Sequence, residues 1–435
     1  MEHILTGVVG GTLGLFLILL RVPIGVALGL VSFLGIAVLL NFKAAFGILS
    51  AVPFNFVGDW SLTAVPMFLL MGYVASSSGL ARQLFGSVHI LMRNLPGGLA
   101  LTSVAACALM SAASGSSVAT SSAFANIATP EMLKHRYDPG LATGVIAAAG
   151  TLGSLIPPSI LMLLYAYTAG VSVSDMFAAG ILPGLLSAFV FATMIVIRVY
   201  FNPSLAPKLE ETSTRQERLA ALGQVWPLPF VVIIVLAGIF LGIFSPTEAG
   251  AVGALLVIII AYLGPGLERD KVLHAIKSTL LGTSNIFLVV IGTALFAKFM
   301  ALSTVPTFAS EALLSFADRP IFAIAIFCVV ILILGCFIDS ISILLLTLPI
   351  FLPVARDFGI DLIYFGIIMI KLLEIGLVTP PVGLNVYVIK SALGDQVSLG
   401  TIFRGVSWFI AVDVFTLILI ISIPALSLFI PGLWN

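Results

Sequence analysis

The chain has 435 residues, 60% of them hydrophobic and only 9% charged. A soluble domain carries about 25% charged residues, so this composition excludes a water-facing surface. Basic and acidic residues balance at 19 each, which argues against a nucleic-acid partner.

The first apolar run covers 4–20. Met1-Glu2-His3 before it lacks a basic n-region, so the run reads as a retained span rather than a signal peptide. Further spans are expected near 22–40, 60–78, 138–170 and 174–200. A second set is expected near 227–243, 246–263, 273–300, 361–391 and 406–430. These runs approach the ~20 residues that cross a bilayer as helix and do not alternate as barrel strands would. The stretch 98–134 is broken at Ser114-Gly115-Ser116-Ser117, and the stretch 320–356 at Asp339-Ser340. Each fits a re-entrant hairpin, whose broken backbone survives at depth only inside protein or beside a wet cavity.

Counting spans puts the N-terminus and the polar segment 201–225 on opposite sides. The 201–225 side receives Arg21, Arg82, Arg93, Lys134, Arg136, Arg198, Lys208, Arg215, Arg218, Arg269, Lys271, Lys277, Lys390 and Arg404. The other side receives Lys43, Lys298, Arg319 and Arg356. The positive-inside rule makes 201–225 a cytoplasmic linker and leaves both termini periplasmic.

Pro157-Pro158 and Pro380-Pro381 stand 223 positions apart (380 − 157). The same shift places Pro130 on Pro353, Asp138 on Asp361, Gly153 on Gly376, Ser117 on Ser340 and Pro23 on Pro246. The layout read from this is a first repeat at 1–200, the linker at 201–225 and a second repeat at 226–435. With an odd number of spans each, the repeats are inverted. Such repeats put substrate and ion sites near the midplane, at discontinuous helices. The fold class expected is an all-α membrane protein with two re-entrant hairpins and two broken helices.

Three clusters carry the chemistry. Ser114, Gly115, Ser116 and Ser117 offer hydroxyls and freed carbonyls, hard oxygens suited to Na⁺; the same small residues also suit a helix-packing face. Around Pro157 and Pro158, the carbonyls of Gly150, Thr151 and Gly153 lose donors and form acceptors. Ser159, just past the break, can donate to a substrate carboxylate near a helix N-terminus. In the second half Asp339 and Ser340 mark the tip, either as ion ligands or with Asp339 as a helix N-cap. Glu374, Gly376 and Thr379 precede Pro380 and Pro381, and Asn385 follows them as a second substrate donor. Lys371 and Glu374 are spaced i,i+3 and fit either a mutual pair or a role for Glu374 at the ion site. Ser245-Pro246-Thr247-Glu248 reads as a structural capping box. No H-E-x-x-H, G-x-S-x-G or G-x-x-x-x-G-K occurs, so the reading is of a protein that is not an enzyme and does not itself use ATP.

Along nearly its whole length the chain resembles the large membrane subunit (DctM type) of the tripartite ATP-independent periplasmic transporters. The residues that carry this are Gly115-Ser116-Ser117-Val118-Ala119-Thr120, Ile156-Pro157-Pro158-Ser159, Ser245-Pro246-Thr247-Glu248-Ala249 and Ile375-Gly376-Leu377-Val378-Thr379-Pro380-Pro381-Val382-Gly383. The resemblance implies an elevator-type ion transporter fold in a bacterial inner membrane. It implies import of an organic acid, such as a C4-dicarboxylate or sialic acid, coupled to Na⁺. It implies two partners, a small four-helix membrane subunit and a periplasmic substrate-binding protein. The hairpins and broken helices would form the moving block, and spans 4–40 and 227–263 much of the static frame. A self-sufficient symporter of related fold and a channel or membrane scaffold are the alternatives.

Overall fold

The computed structural model describes residues 2–207, 214–264, 268–316 and 319–434. The linker charges Lys208, Glu210 and Glu211 lie outside the described residues. Among the described residues every regular element is helical. The first half runs α1 (Glu2–Leu19), α2 (Ile24–Leu39), α3 (Phe42–Val57), a 3-10 turn (Trp60–Thr63), α4 (Ala64–Ser77) and α5 (Leu80–Met92). It continues with α6 (Gly98–Ser114), α7 (Ser117–Lys134), α8 (Pro139–Gly150), α9 (Leu152–Leu155), α10 (Ile160–Ala169) and α11 (Val173–Phe201). Helix α12 (Arg215–Val225) lies in the linker. The second half runs α13 (Pro227–Phe240), α14 (Pro246–Leu263), α15 (Arg269–Ser303), α16 (Val305–Phe316), α17 (Pro320–Gly335) and α18 (Ser340–Asp357). It ends with α19 (Leu362–Val378), α20 (Leu384–Leu393), α21 (Leu399–Ser422) and the short α22 (Ala425–Leu428). Among the described residues eight helices are long and apolar enough to cross a membrane, or nine if α12 and α13 count as one bent span.

The repeat is visible element by element. The pair α6–α7 matches α17–α18, α8–α9 matches α19, α10 matches α20, and α11 matches α21 at the shift read from the prolines. Local chemistry repeats with it. Asp138 accepts from Leu141 N at 2.8 Å to start α8, and Asp361 accepts from Tyr364 N at 2.9 Å to start α19. Side-chain caps of this kind satisfy N–H groups that a helix start leaves unpaired.

Contacts between the halves are reciprocal. Helix α2 packs on α15 while α14 packs on α4; α8 packs on α21 while α19 packs on α11; α7 packs on α20 while α18 packs on α10. Exchanging the halves maps each contact onto its mate, as a two-fold axis requires. This reciprocity fits an inverted repeat, whose two-fold axis lies in the membrane plane.

Several expected boundaries change. The segments 41–59 and 301–319, which fall between the expected apolar stretches, hold α3 and α16. Asn41 caps α3, accepting from Ala44 N at 2.8 Å. The connection after α4 holds α5, which buries Leu80, Ala81, Leu84, Phe85 and Val88 and exposes Arg82. That spacing is one helical face, and it yields no long apolar run to find. Helix α15 is one helix of 35 residues, longer at both ends than the expected 273–300. The capping box at α14 is present: Ser245 N donates to Glu248 Oε2 at 2.8 Å, and Glu248 N donates to Ser245 Oγ at 3.3 Å.

Candidate functional site

Helix α6 ends where Gly115 turns the chain at φ +60°, with its N–H bonded to Ser111 O at 2.8 Å. Ser116 then caps α7, its Oγ accepting from Ala119 N at 3.4 Å. Ser114 and Thr120 hydroxyls meet at 2.7 Å and close the tip. The tip lies on the broken helix of its own half, with Ile160 N donating to Gly115 O at 3.3 Å. A Cβ on Gly153 would stand 2.8 Å from the backbone of Ser116, so only glycine admits the hairpin here. In the second half a Cβ on Gly376 would stand 2.7 Å from Gly335 Cα. Two equivalent glycines thus seat the two hairpins. Both breaks carry a cis peptide, Pro157-Pro158 and Pro380-Pro381. The first pair is buried and the second exposed.

A cavity of about 250 Å³ separates the tips from the α4 and α15 helices. Gly115, Ser116, Ser117, Asp339, Ser340 and Glu374 line it, with Ser154 beside them. Leu69 and Tyr73 of α4 and Gly282, Asn285 and Ile286 of α15 form the facing wall. A second cavity, about 630 Å³ and lined largely by polar residues, shares Tyr73. It runs along Ser122 and Asn126 of α7 toward Lys271 and His274 of α15.

One cluster of buried oxygens joins the halves. Glu374 is 1% exposed, and its Oε2 accepts from Ser117 Oγ at 2.5 Å. The Ser117 and Ser154 hydroxyls meet at 2.8 Å. Glu374 Oε1 and Ser340 Oγ are buried without a hydrogen-bond partner. An unpaired buried polar oxygen is costly, and hard oxygens of this kind suit an alkali cation. Among the described residues no group of His, Cys, Asp and Glu has the makings of a tighter metal site.

Asp339 shows the N-cap geometry, its Oδ1 accepting from Ser342 N at 3.1 Å and its Oδ2 from Ser342 Oγ at 2.5 Å, while it still borders the cavity. The side chain of Glu374, grouped in the sequence with the second tip, goes to the first tip. The mutual pair with Lys371, one of the two readings of that spacing, does not form, because Lys371 is turned to Asp413 of α21 and donates to Ser187 of α11 at 3.0 Å.

The remaining expected residues stand outside the cavity lining. Ser114, Gly150, Thr151, Gly153, Gly376 and Thr379 serve turns and close packing. Thr151 Oγ1 bonds Ala148 O at 2.6 Å, and Thr379 Oγ1 bonds Ile375 O at 2.6 Å. Ser159 caps α10, accepting from Met162 N at 3.4 Å. Asn385 is fully buried and donates to Ala147 O of the other half at 3.3 Å. Neither Ser159 nor Asn385 reaches the cavity, and Pro157, Pro158, Pro380 and Pro381 do not line it. Sequence reasoning missed Asn285, Tyr73, Ser187 and Asp413. The frame-side pair sits in unbroken apolar helices with no local signal, and Asp413 is a charge inside an apolar run, which was a signal available to read.

The model of one family matches residues 12–426: "Tripartite ATP-independent periplasmic transporter, DctM component". The chain belongs to this family. It is 36% identical over 377 residues to the C4-dicarboxylate TRAP transporter large permease protein DctM of Pseudomonas aeruginosa, covering 86% of each chain. It is 30% identical over 382 residues to the sialic acid TRAP transporter large permease protein SiaM of Vibrio cholerae, covering 87% of this chain and 88% of that one. Its fold is similar to that of the Alcanivorax borkumensis YdaH transporter, with TM-score 0.65, 16% identity, and coverage of 96% of this chain and 98% of that one. DctM-type large permeases are multi-pass membrane proteins that work with a small membrane subunit and a periplasmic binding protein.

Proposed function

We propose that this chain is the transport subunit of a Na⁺-coupled importer of small organic acids in a bacterial inner membrane. It takes substrate from a periplasmic binding protein and works beside a small four-helix membrane subunit. The observation that carries this is the cluster of Ser117, Ser154 and Glu374 at the cavity between the tips, with the unpartnered oxygens of Glu374 and Ser340 beside it.

Na⁺ enters this oxygen cluster as co-transported cargo. Glu374 supplies the charge, and Ser117 and Ser154 supply neutral oxygens. A second Na⁺ lies at the second tip, at Ser340 and Asp339. The substrate carboxylate lies between the tips. The N-termini of α7 and α18 border the cavity there, and helix N-termini favour anions. The named substrates of the two relatives above, a C4-dicarboxylate and sialic acid, are both organic acids; this supports the acid class without choosing among its members.

The hairpins, broken helices, α11 and α21 move as one block against α1–α5 and α13–α16, an elevator motion. The block is tied internally by Tyr165, whose hydroxyl donates to Leu362 O, and by Arg356, which donates to Ala169 O at 3.0 Å. In the orientation with the linker cytoplasmic, the second, polar cavity is the release path to the cytoplasm. Uptake of a labelled organic acid into proteoliposomes holding all subunits, with and without an inward Na⁺ gradient, tests this function.

A further inference from the structure

Lys371 and Asp413 are each 1% exposed. They form an ion pair between α19 and α21. The Lys371 ammonium also donates to Ser187 Oγ of α11 at 3.0 Å and stands 5.7 Å from the centre of the Phe191 ring. Burying two charges costs more in desolvation than the pair usually returns, so well-packed apolar residues would serve stability as well. The inverted repeat supplies an internal comparison. At the positions equivalent to Lys371 and Asp413, the first half carries Ala148 and Val190. The fold is therefore built once with the charges and once without them.

What differs between the halves at this depth is Glu374, whose equivalent is Thr151. Lys371 precedes Glu374 by three residues, so the two side chains leave α19 on one face. Glu374 crosses to the first half at Ser117, and Lys371 crosses to the first half at Ser187. Both crossings fall within one turn of α19. A rotation of α19 that freed Lys371 would carry the Glu374 carboxylate away from the tip.

We propose that Lys371, Asp413 and Ser187 are positioning residues that fix the azimuth of α19 and so aim Glu374 at the ion-binding oxygens. This rests on the Na⁺-coupled reading above. The charges are retained in the half that carries the ionic ligand and are absent from the half that does not.

The test uses proteoliposomes with all three subunits. Lys371→Met combined with Asp413→Leu removes the clamp without stranding a charge. Ser187→Ala removes only the tie to α11 and covers the case in which the double variant does not fold. The readouts are thermal stability in detergent, the Na⁺ concentration for half-maximal uptake, and the maximal rate at saturating Na⁺. The double variant is expected to keep its stability and to need about tenfold more Na⁺, the usual scale for losing a residue that orients a metal ligand. Its maximal rate is expected to recover at high Na⁺, and Ser187→Ala is expected to shift in the same direction by less. A Na⁺ half-saturation equal to wild type in both variants overturns the proposal, whatever the maximal rate does. Wild-type uptake indifferent to Na⁺ would overturn the coupled function itself, a separate and recognisable failure.

Discussion

Glu374 of the second half meets Ser117 of the first at 2.5 Å across a sequence separation of 257 residues. The contact places a fully buried carboxyl group that borders the cavity at the tip of the opposite repeat. Two inverted halves thereby make one site with unequal sides. The first tip has the buried Glu374 carboxyl group beside it, and the second has Ser340 with Asp339 engaged as a cap.

Ser117→Ala removes the hydroxyl that joins Glu374 to Ser154. Loss of one such bond at a charged acceptor is worth about 1.5–3 kcal/mol, roughly ten- to 150-fold in an equilibrium constant. The Na⁺ concentration for half-maximal uptake should rise by that factor, with docking of the binding protein unchanged. Titrating Na⁺ against initial uptake rates checks it.

Gly376→Ala puts a methyl group 2.7 Å from Gly335 Cα, where backbone meets backbone. Overpacking of this sort costs about 1–3 kcal/mol. The variant should melt at a lower temperature in detergent and lose uptake. Gly86→Ala in α5, with nothing within 4 Å of the added Cβ, serves as the control and should match or slightly exceed wild type.

Both termini are expected in the periplasm, with the linker in the cytoplasm. A cysteine at Gln216, exposed on α12, in a background lacking Cys107, Cys328 and Cys336, should resist an impermeant thiol reagent in intact spheroplasts. It should react once the membrane is opened. Labelling from outside would reverse the topology and with it the assignment of the release path.

The binding protein is expected to dock on the periplasmic side, at α3 and α16 and the ends beside them, with exposed Lys43, Lys298 and Arg319 as contacts. Reversing these charges should slow uptake in a salt-dependent manner, since charges at an interface rim act mainly on association rate. Na⁺ binding by the isolated permease should be unchanged. Unaltered uptake across all three reversals would remove this surface from consideration.

Much of the fold was legible because its signals are local. A proline pair, a glycine at a turn and an aspartate ahead of a helix each act within a few residues, and each recurs at the same shift. The helices α3, α5 and α16 were not legible, because they are short or amphipathic and leave no run of bilayer length. The cavity lining was half legible. Ser116, Ser117, Asp339 and Ser340 announce themselves at the breaks in two apolar stretches. Glu374 was nominated, yet its direction was not, because helix spacing offered Lys371 as a neighbour while the fold offered Ser117 and Asp413. Spacing along one helix says which side chains share a face; it does not say which other helix that face will meet. Ser159 and the Asn385 amide NH2 show the converse, being well placed in sequence but turned to Met162 N and Ala147 O and away from the cavity.

The most direct test of the account is Na⁺-driven uptake by the reconstituted three-component system, wild type against Glu374→Gln. Glutamine keeps the shape and the hydrogen bond to Ser117 and removes the charge offered to the ion. Wild-type uptake should require an inward Na⁺ gradient and stop when the gradient is collapsed. Glu374→Gln should be stable, and its uptake should need at least about tenfold more Na⁺, the effect expected from losing about 1.4 kcal/mol of ion binding. Wild-type uptake that persists without a Na⁺ gradient, or a Glu374→Gln variant with the Na⁺ dependence of wild type, would contradict it.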